Sequence, residues 1–154
     1  MLRRLALPAL VLAVVACAGD QGAGPDALSL NGNWRQSGDL RSAATGDTLI
    51  PIGTFDLVQS GDGFSGNGQQ SPGCTASVTP AGSSHDSPIV DVAPFAITGG
   101  TLVGRSVTFA RDICTYTGSF VEGRNDRMTG TASCSYSKGG TDYTFTGQWQ
   151  ATRN

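Results

Sequence analysis

The chain has 154 residues and a formal net charge of −2, with 10 Lys and Arg residues against 12 Asp and Glu residues. Lysine occurs once, at Lys138, and no run of basic residues exists, which argues against nucleic acid as a partner, because that binding depends on clustered positive charge. Glycine is abundant, charge is sparse, and no window of ten or more residues after residue 16 shows helical spacing of apolar side chains. This composition predicts an all-β protein.

The N-terminus is organised like a secretory signal. Arg3 and Arg4 precede an apolar run over residues 5–16, which is too short to span a bilayer core, since that takes about 20 residues. We therefore predict a signal peptide over residues 1–16. Its removal leaves 8 basic and 12 acidic residues, a net charge of −4.

Residues 14–17, with the sequence VVAC, resemble the lipobox of bacterial lipoproteins. The resemblance implies that Cys17 becomes the first residue and carries lipid, which attaches a protein to a membrane without crossing it. Ala18 replaces the Asp that retains such proteins at the inner membrane, so we expect a lipid anchor in the bacterial cell envelope, at the outer membrane. Residues 17–28 are predicted to form the lipidated start and a flexible tether. The alternative is a plain signal peptide with an incidental cysteine.

Eight strands are predicted in simple succession after the tether. Their apolar side chains alternate with period two, which is typical of antiparallel strands with one buried face. The strands cover residues 28–37, the two arms of a hairpin at 53–70, and residues 94–103, 105–110, 113–121, 128–136 and 143–151. We predict that they close into an eight-stranded antiparallel up-and-down β-barrel, a single domain over residues 29–154.

The last strands are mirror images of each other about their turns. Folding the chain about Arg124 places Cys114 opposite Cys134. Folding it about residues 139–140, which are both glycine, pairs Tyr136 with Tyr143, Cys134 with Phe145 and Gly130 with Trp149. Each inward residue then meets another inward residue, and a slip of one residue would destroy the match.

The cysteine count predicts one disulfide in an oxidising compartment. The register favours a Cys114–Cys134 bridge, which leaves Cys74 free. The alternative joins Cys74 to one of the two.

Residues 32–34, with the sequence GNW, resemble the Gly-x-Trp signature of lipocalins and their calycin relatives, including avidins. The resemblance implies a barrel in which Arg153 packs across Trp34 and, with Gly32, helps to close one end. We expect a departure from lipocalins, whose barrel is followed by a helix, because the last predicted strand lies just before Asn154, and a departure from avidins because the polar pattern after the tryptophan differs. Bacterial protease inhibitors with a lipocalin-like barrel are a third relative.

The inward aromatic side chains are the candidate ligand site. Together with inward glycines they would line a cavity for a small apolar or aromatic molecule. The residues proposed to line it are Trp34, Phe55, Phe64, Tyr116, Tyr143 and Trp149. The alternative is a packed core in which Gly118 and Gly130 make room for the Trp149 indole. Two long segments, residues 38–53 and 71–92, are predicted to be irregular loops that cover the barrel mouth or contact a partner.

No catalytic constellation or metal site is predicted. The only histidine, His85, lies beside Ser84 and Asp86 in a loop segment, and neighbours in sequence rarely converge as a triad does. No ligand spacing for a metal is present. We therefore expect a non-enzymatic binding protein without cofactor or metal. The alternative function is a protein-binding barrel, a protease inhibitor or envelope-assembly factor that acts through its loops.

Overall fold

The structure, a computed structural model, describes residues 28–71, 76–77, 94–138 and 140–154. The predicted signal peptide, Cys17, nearly all of the tether, Cys74 and residues 84–86 lie outside these ranges. Within them, no helix has the length and apolar character needed to cross a membrane.

Within the described residues, ten strands form one antiparallel sheet. They are β1 (Gly32–Arg41), β2 (Thr48–Leu49), β3 (Gly53–Ser60), β4 (Gly63–Gln70), β5 (Ala76–Ser77), β6 (Pro94–Val103), β7 (Ser106–Arg111), β8 (Cys114–Phe120), β9 (Arg127–Lys138) and β10 (Thr141–Arg153).

Eight of these strands make a closed ring. Their order around the ring is β1, β3, β4, β6, β7, β8, β9 and β10, and β10 pairs with β1 to complete it. The all-β prediction of an eight-stranded antiparallel up-and-down barrel is confirmed. The two-residue strands β2 and β5 were not predicted. Strand β1 continues to Arg41, and β2 pairs with its end and with β5, so the predicted loop at residues 38–53 is partly strand.

The predicted hairpin registers are those of the structure. Cys114 pairs with Cys134 across β8 and β9, and Tyr136 with Tyr143 across β9 and β10. The β8–β9 turn is held by two hydrogen bonds from the Arg124 guanidinium to the Asp126 carboxylate, at 2.7 and 2.8 Å. These bonds lower the pKa of Asp126 below its ordinary value.

The strand β6 bends where the sequence carries Gly99 and Gly100. The pairing of β6 with β7 shifts register between Thr98 and Thr101, and its pairing with β4 shifts between Phe64 and Gly66. Such bulges add local twist, which helps a small sheet to curve into a barrel.

The two ends of the barrel differ in their connections. The closed end holds the β3–β4, β6–β7 and β8–β9 turns, with the start of β1 and the end of β10. The mouth, as we name the opposite end, holds the connections from β1 to β3, β4 to β6, β7 to β8 and β9 to β10. Most of the β4–β6 connection lies outside the described residues.

Candidate functional site

The closed end is sealed by Trp34 and its neighbours. The Trp34 indole is fully buried, donates a hydrogen bond from Nε1 to the Leu30 carbonyl oxygen at 2.8 Å, and meets the Phe120 ring edge-on at 6.0 Å. Arg153 pairs with Trp34 across β1 and β10, and its guanidinium lies 4.8 Å from the indole ring centre. Its Nη2 also donates to the Ser29 carbonyl oxygen. These contacts hold the buried indole in place at this end of the barrel.

Gly32 lets the chain enter β1 beside that arginine. Its φ of +122° is in a region that side chains rarely adopt, and a Cβ atom there would lie 4.0 Å from Cδ of Arg153. The structure thus brings together the three residues for which the calycin resemblance implies a role in closure.

Aromatic rings fill the middle of the barrel. Phe109 stacks on Tyr116 with ring centres 4.8 Å apart, and Trp149 meets both rings edge-on at 5.4 and 5.7 Å. Phe55 and Phe64, on strands three and two places from β7 around the ring, also pack against Phe109. Side chains as buried as these contact protein atoms over nearly all of their surface.

Of the six side chains proposed to line a cavity, five are between 0 and 6% exposed: Trp34, Phe55, Phe64, Tyr116 and Trp149. The sixth, Tyr143, is half-buried and pairs with Tyr136 at 6.3 Å near the mouth. This placement favours the packed-core alternative for the middle of the barrel, and of the six side chains only Tyr143, near the mouth, stays partly exposed.

The mouth carries a buried arginine that crosses the barrel. Arg111 ends β7, is 3% exposed, and donates from Nη1 to Oε1 of Gln36 at 2.8 Å. Its Nη2 donates to Oε1 of Gln70 at 2.8 Å, and its guanidinium lies 3.6 Å above the centre of the Phe95 ring. Since β7 and β1 are four strands apart in either direction around the ring, the Arg111–Gln36 hydrogen bond spans the full width of the lumen.

This polar group has unmet hydrogen-bonding capacity. Gln36 is 0% exposed, its Oε1 is taken by Arg111, and its Nε2 has no hydrogen-bond partner. A buried donor without an acceptor costs free energy, so such atoms mark places where a water molecule or a ligand atom belongs. Arg111 and Gln36 therefore make a donor-rich site inside the mouth.

The disulfide lies next to this site. Cys114 and Cys134 are bonded, which confirms the predicted bridge. Cys114 pairs with Arg111 across β7 and β8, and Cys134 pairs with Phe145 across β9 and β10. The bridge thus ties together the two strands that follow Arg111 around the barrel wall.

In the part of the chain that the structure describes, no three His, Cys, Asp or Glu residues lie close enough together to hold a metal ion. The lone histidine and its neighbours, Ser84 and Asp86, lie outside that part, as do Cys17 and Cys74.

Gln36, Gln70 and Arg111 were not singled out in the sequence, although the signal is present. Gln36 lies two residues after the inward Trp34, Gln70 continues the inward positions 64, 66 and 68, and Arg111 follows the inward Val107 and Phe109. Each of these three strands thus has a polar residue at a position whose side chain points into the barrel. This pattern indicates a polar layer inside the barrel.

The sequence matches no protein-family model and is not significantly similar to any curated protein.

Proposed function

We propose that this chain is a lipid-anchored protein of the bacterial cell envelope that binds a small apolar or aromatic molecule at the mouth of its barrel. The lipid is carried by Cys17 after removal of residues 1–16, and residues 17–28 connect it to the barrel. The outer membrane is the proposed location, and the action is binding without catalysis.

The observation that carries the proposal is the pair of buried polar side chains at the mouth. At the closed end, Trp34 Nε1 and Arg153 Nη2 donate to backbone carbonyl oxygens, and Nε of the half-buried Arg153 has no partner. At the mouth, Arg111 and Gln36 are both buried inside the barrel, and the amide nitrogen of Gln36 has no partner. Polar side chains of this kind, set beside aromatic rings in a concave site, are what orients a small ligand.

Binding is proposed rather than catalysis because of how the buried charges are placed. Among the described residues, the buried charged side chains are Arg111 and Asp47. They form no ion pair with each other, and Asp47 is bonded instead to Thr45 in the same loop. The Thr45–Asp47 contact is local to one turn, since the Thr45 hydroxyl also accepts a hydrogen bond from the Asp47 backbone N–H.

The test is ligand detection with a matched pair of variants. Native mass spectrometry of protein purified from its own envelope should show a small co-purified molecule, and thermal-shift titration should identify small apolar or aromatic compounds that stabilise the protein. Tyr143→Ala should weaken their binding by about tenfold, because Tyr143 lies at the mouth. Thr144→Ala, which alters the neighbouring outward side chain, should leave it unchanged. If no molecule co-purifies and no compound shifts the unfolding temperature, the proposal is abandoned.

The filled middle of the barrel favours a second candidate, a protein partner that contacts the mouth loops. Because the rings of Phe109, Tyr116 and Trp149 fill the lumen at their level, a small molecule finds less room inside the barrel. The loop between β1 and β2 is exposed at Ala44, on the mouth side. A protease inhibitor or an assembly factor would act through such a loop.

Site-specific photo-crosslinking separates this candidate from the first. A photo-reactive amino acid at position 44 should give one adduct of defined mass in intact cells if a protein docks at the mouth. The same group at Asn125, which is exposed in the β8–β9 turn of the closed end, is the control. Equal labelling from both positions would speak against a docking surface at the mouth.

A further inference from the structure

Arg111 is the one buried cation among the described residues, and its charge is incompletely balanced. The nearest carboxylate belongs to Asp112, whose Oδ2 lies 3.6 Å from Nε of Arg111 and whose side chain is 55% exposed. The carbonyl oxygens of Gln36 and Gln70 accept hydrogen bonds from it but carry no charge. Since an ion removed from water requires both charge pairing and hydrogen bonding, this guanidinium still lacks a buried counter-charge.

A second, independent observation points to the same place. Gln36 is fully buried, and Nε2 of its amide has no acceptor. The amide orientation follows from the bond that its Oε1 accepts from Arg111, so the unpaired atom is the donor nitrogen. The amide nitrogen of Gln36, a donor without an acceptor, thus lies next to the Arg111 guanidinium, whose positive charge is only partly balanced.

We infer that Arg111 and Gln36 bind the carboxylate of the ligand, so that the small molecule at the mouth is a monocarboxylate with an apolar or aromatic body. The inference rests on the proposed small-molecule function and names the ligand's chemical class. In the complex, one carboxylate oxygen accepts from the guanidinium and the other accepts from Nε2 of Gln36. The positive charge and the unpaired donor are then satisfied by a single group.

Charge balance selects a monoanion over a phosphate. The site has a single positive charge, and Asp112 already offsets part of it. A dianion would leave excess negative charge inside the barrel, which is costly in a region of low dielectric. A hydrogen bond from an ionised guanidinium to a carboxylate oxygen is also among the stronger ones in proteins, and the Phe95 ring beneath the guanidinium supplies an apolar contact.

The ligand's body is expected to point toward the mouth. The rings in the middle of the barrel block the other direction. Inward residues on the mouth side include the half-buried Gln70, Tyr136 and Tyr143. Because Arg111 is 3% exposed, these side chains must separate to admit a ligand, which is a rearrangement of side chains rather than of the barrel.

The test compares carboxylates with their neutral counterparts on the full chain. Benzoate and octanoate, with benzamide and octanamide as isosteric controls, are titrated by calorimetry at neutral pH. The expected result is binding of the carboxylates at least tenfold tighter than that of the matching amides. Equal affinity for acid and amide would overturn the inference while leaving the proposed function in place.

Two variants test the residues themselves. Arg111→Met removes the charge with little change of volume and should abolish the preference for carboxylates. Gln36→Glu places a carboxylate of the protein against Arg111 and should have the same effect by occupying the cation, even if the first variant fails to fold. Arg35→Met, on the outward face next to Gln36, should bind like the wild type.

The remaining outcomes are also decisive. Wild-type preference for carboxylates that survives in either Arg111→Met or Gln36→Glu would overturn the inference, because the anion would then bind elsewhere. Binding of neutral compounds alone would also overturn the inference and would indicate that a water molecule satisfies Gln36. Absence of binding by every acid, amide and hydrocarbon tested would reject the small-molecule function together with the inference.

Discussion

Gly118 lies where β8 passes closest to the indole of Trp149. That indole donates from Nε1 to two backbone oxygens, those of Thr117 at 3.2 Å and Thr131 at 3.1 Å. Gly118 and Gly130 face each other across the β8–β9 ladder, and a Cβ atom on either would overlap backbone atoms of the facing strand. The two glycines therefore permit both the tight approach of the strands and the insertion of the ring.

We predict that Gly118→Ala lowers the free energy of unfolding by about 1–3 kcal/mol, the usual cost of overpacking a core. The added methyl group would lie 2.9 Å from Cζ2 of Trp149 and would overlap the Thr129 carbonyl oxygen. Gly63→Ala is the control, since the nearest atom to its Cβ would be 3.5 Å away. Urea unfolding measures both variants. Equal stability of the two would contradict the packing described for the middle of the barrel.

At the scale of elements, the β8–β9 hairpin combines three devices: an Arg124–Asp126 turn, facing glycines and the Cys114–Cys134 bridge. The bridge lies at the mouth end of the hairpin and the turn lies at the closed end. The hairpin is thus held at both ends and in the middle, and it forms the wall next to Arg111.

The disulfide is expected to contribute about 3 kcal/mol to stability, the chain-entropy value for a loop of this size. The two cysteines are 20 residues apart in sequence. Cys114→Ala/Cys134→Ala and the reduced wild type should both unfold at lower urea concentration than the oxidised protein. Cys74→Ala should unfold like the oxidised wild type. A Cys74-containing disulfide in non-reducing peptide maps, or no effect of reduction on stability, would contradict this assignment.

At the scale of the whole molecule, the proposal places the anchor and the barrel in different parts of the chain. The barrel begins at β1, and the proposed lipid site is at Cys17, so in this proposal the residues between them would set how far the mouth reaches from the membrane. The start of β1 lies at the closed end, next to the point where the tether joins the barrel. In the proposed envelope location, the mouth would therefore face away from the anchor.

Expressed with its own first 16 residues, the protein is predicted to partition into the detergent phase of a Triton X-114 separation. Lipid chains on Cys17 provide the affinity, because two or more acyl chains give stable membrane attachment. Cys17→Ser should move the protein to the aqueous phase, whereas Cys74→Ser should leave it in the detergent phase. Unchanged partitioning of Cys17→Ser would refute the anchor.

The strand order, the hairpin registers and the disulfide could be predicted from the sequence alone. Period-two alternation and turn residues are local features, and consecutive antiparallel strands pair with their neighbours, so each pairing is set by short stretches such as residues 114–134. The mirrored cysteines follow from that register. The short strands β2 and β5 escaped prediction because two-residue strands carry no periodic signal.

Only the tertiary structure decided how the interior is occupied. Whether Trp149 fills the lumen or lines a cavity depends on how far each strand is staggered and coiled, which alternation does not encode. Likewise, the alternation of side chains along each strand predicts that Arg111 and Gln36 point inward. Their hydrogen bond, however, joins residues 75 positions apart on opposite walls of the barrel. That contact exists because the ring closes between β1 and β10, and closure brings together side chains that no local stretch of sequence relates.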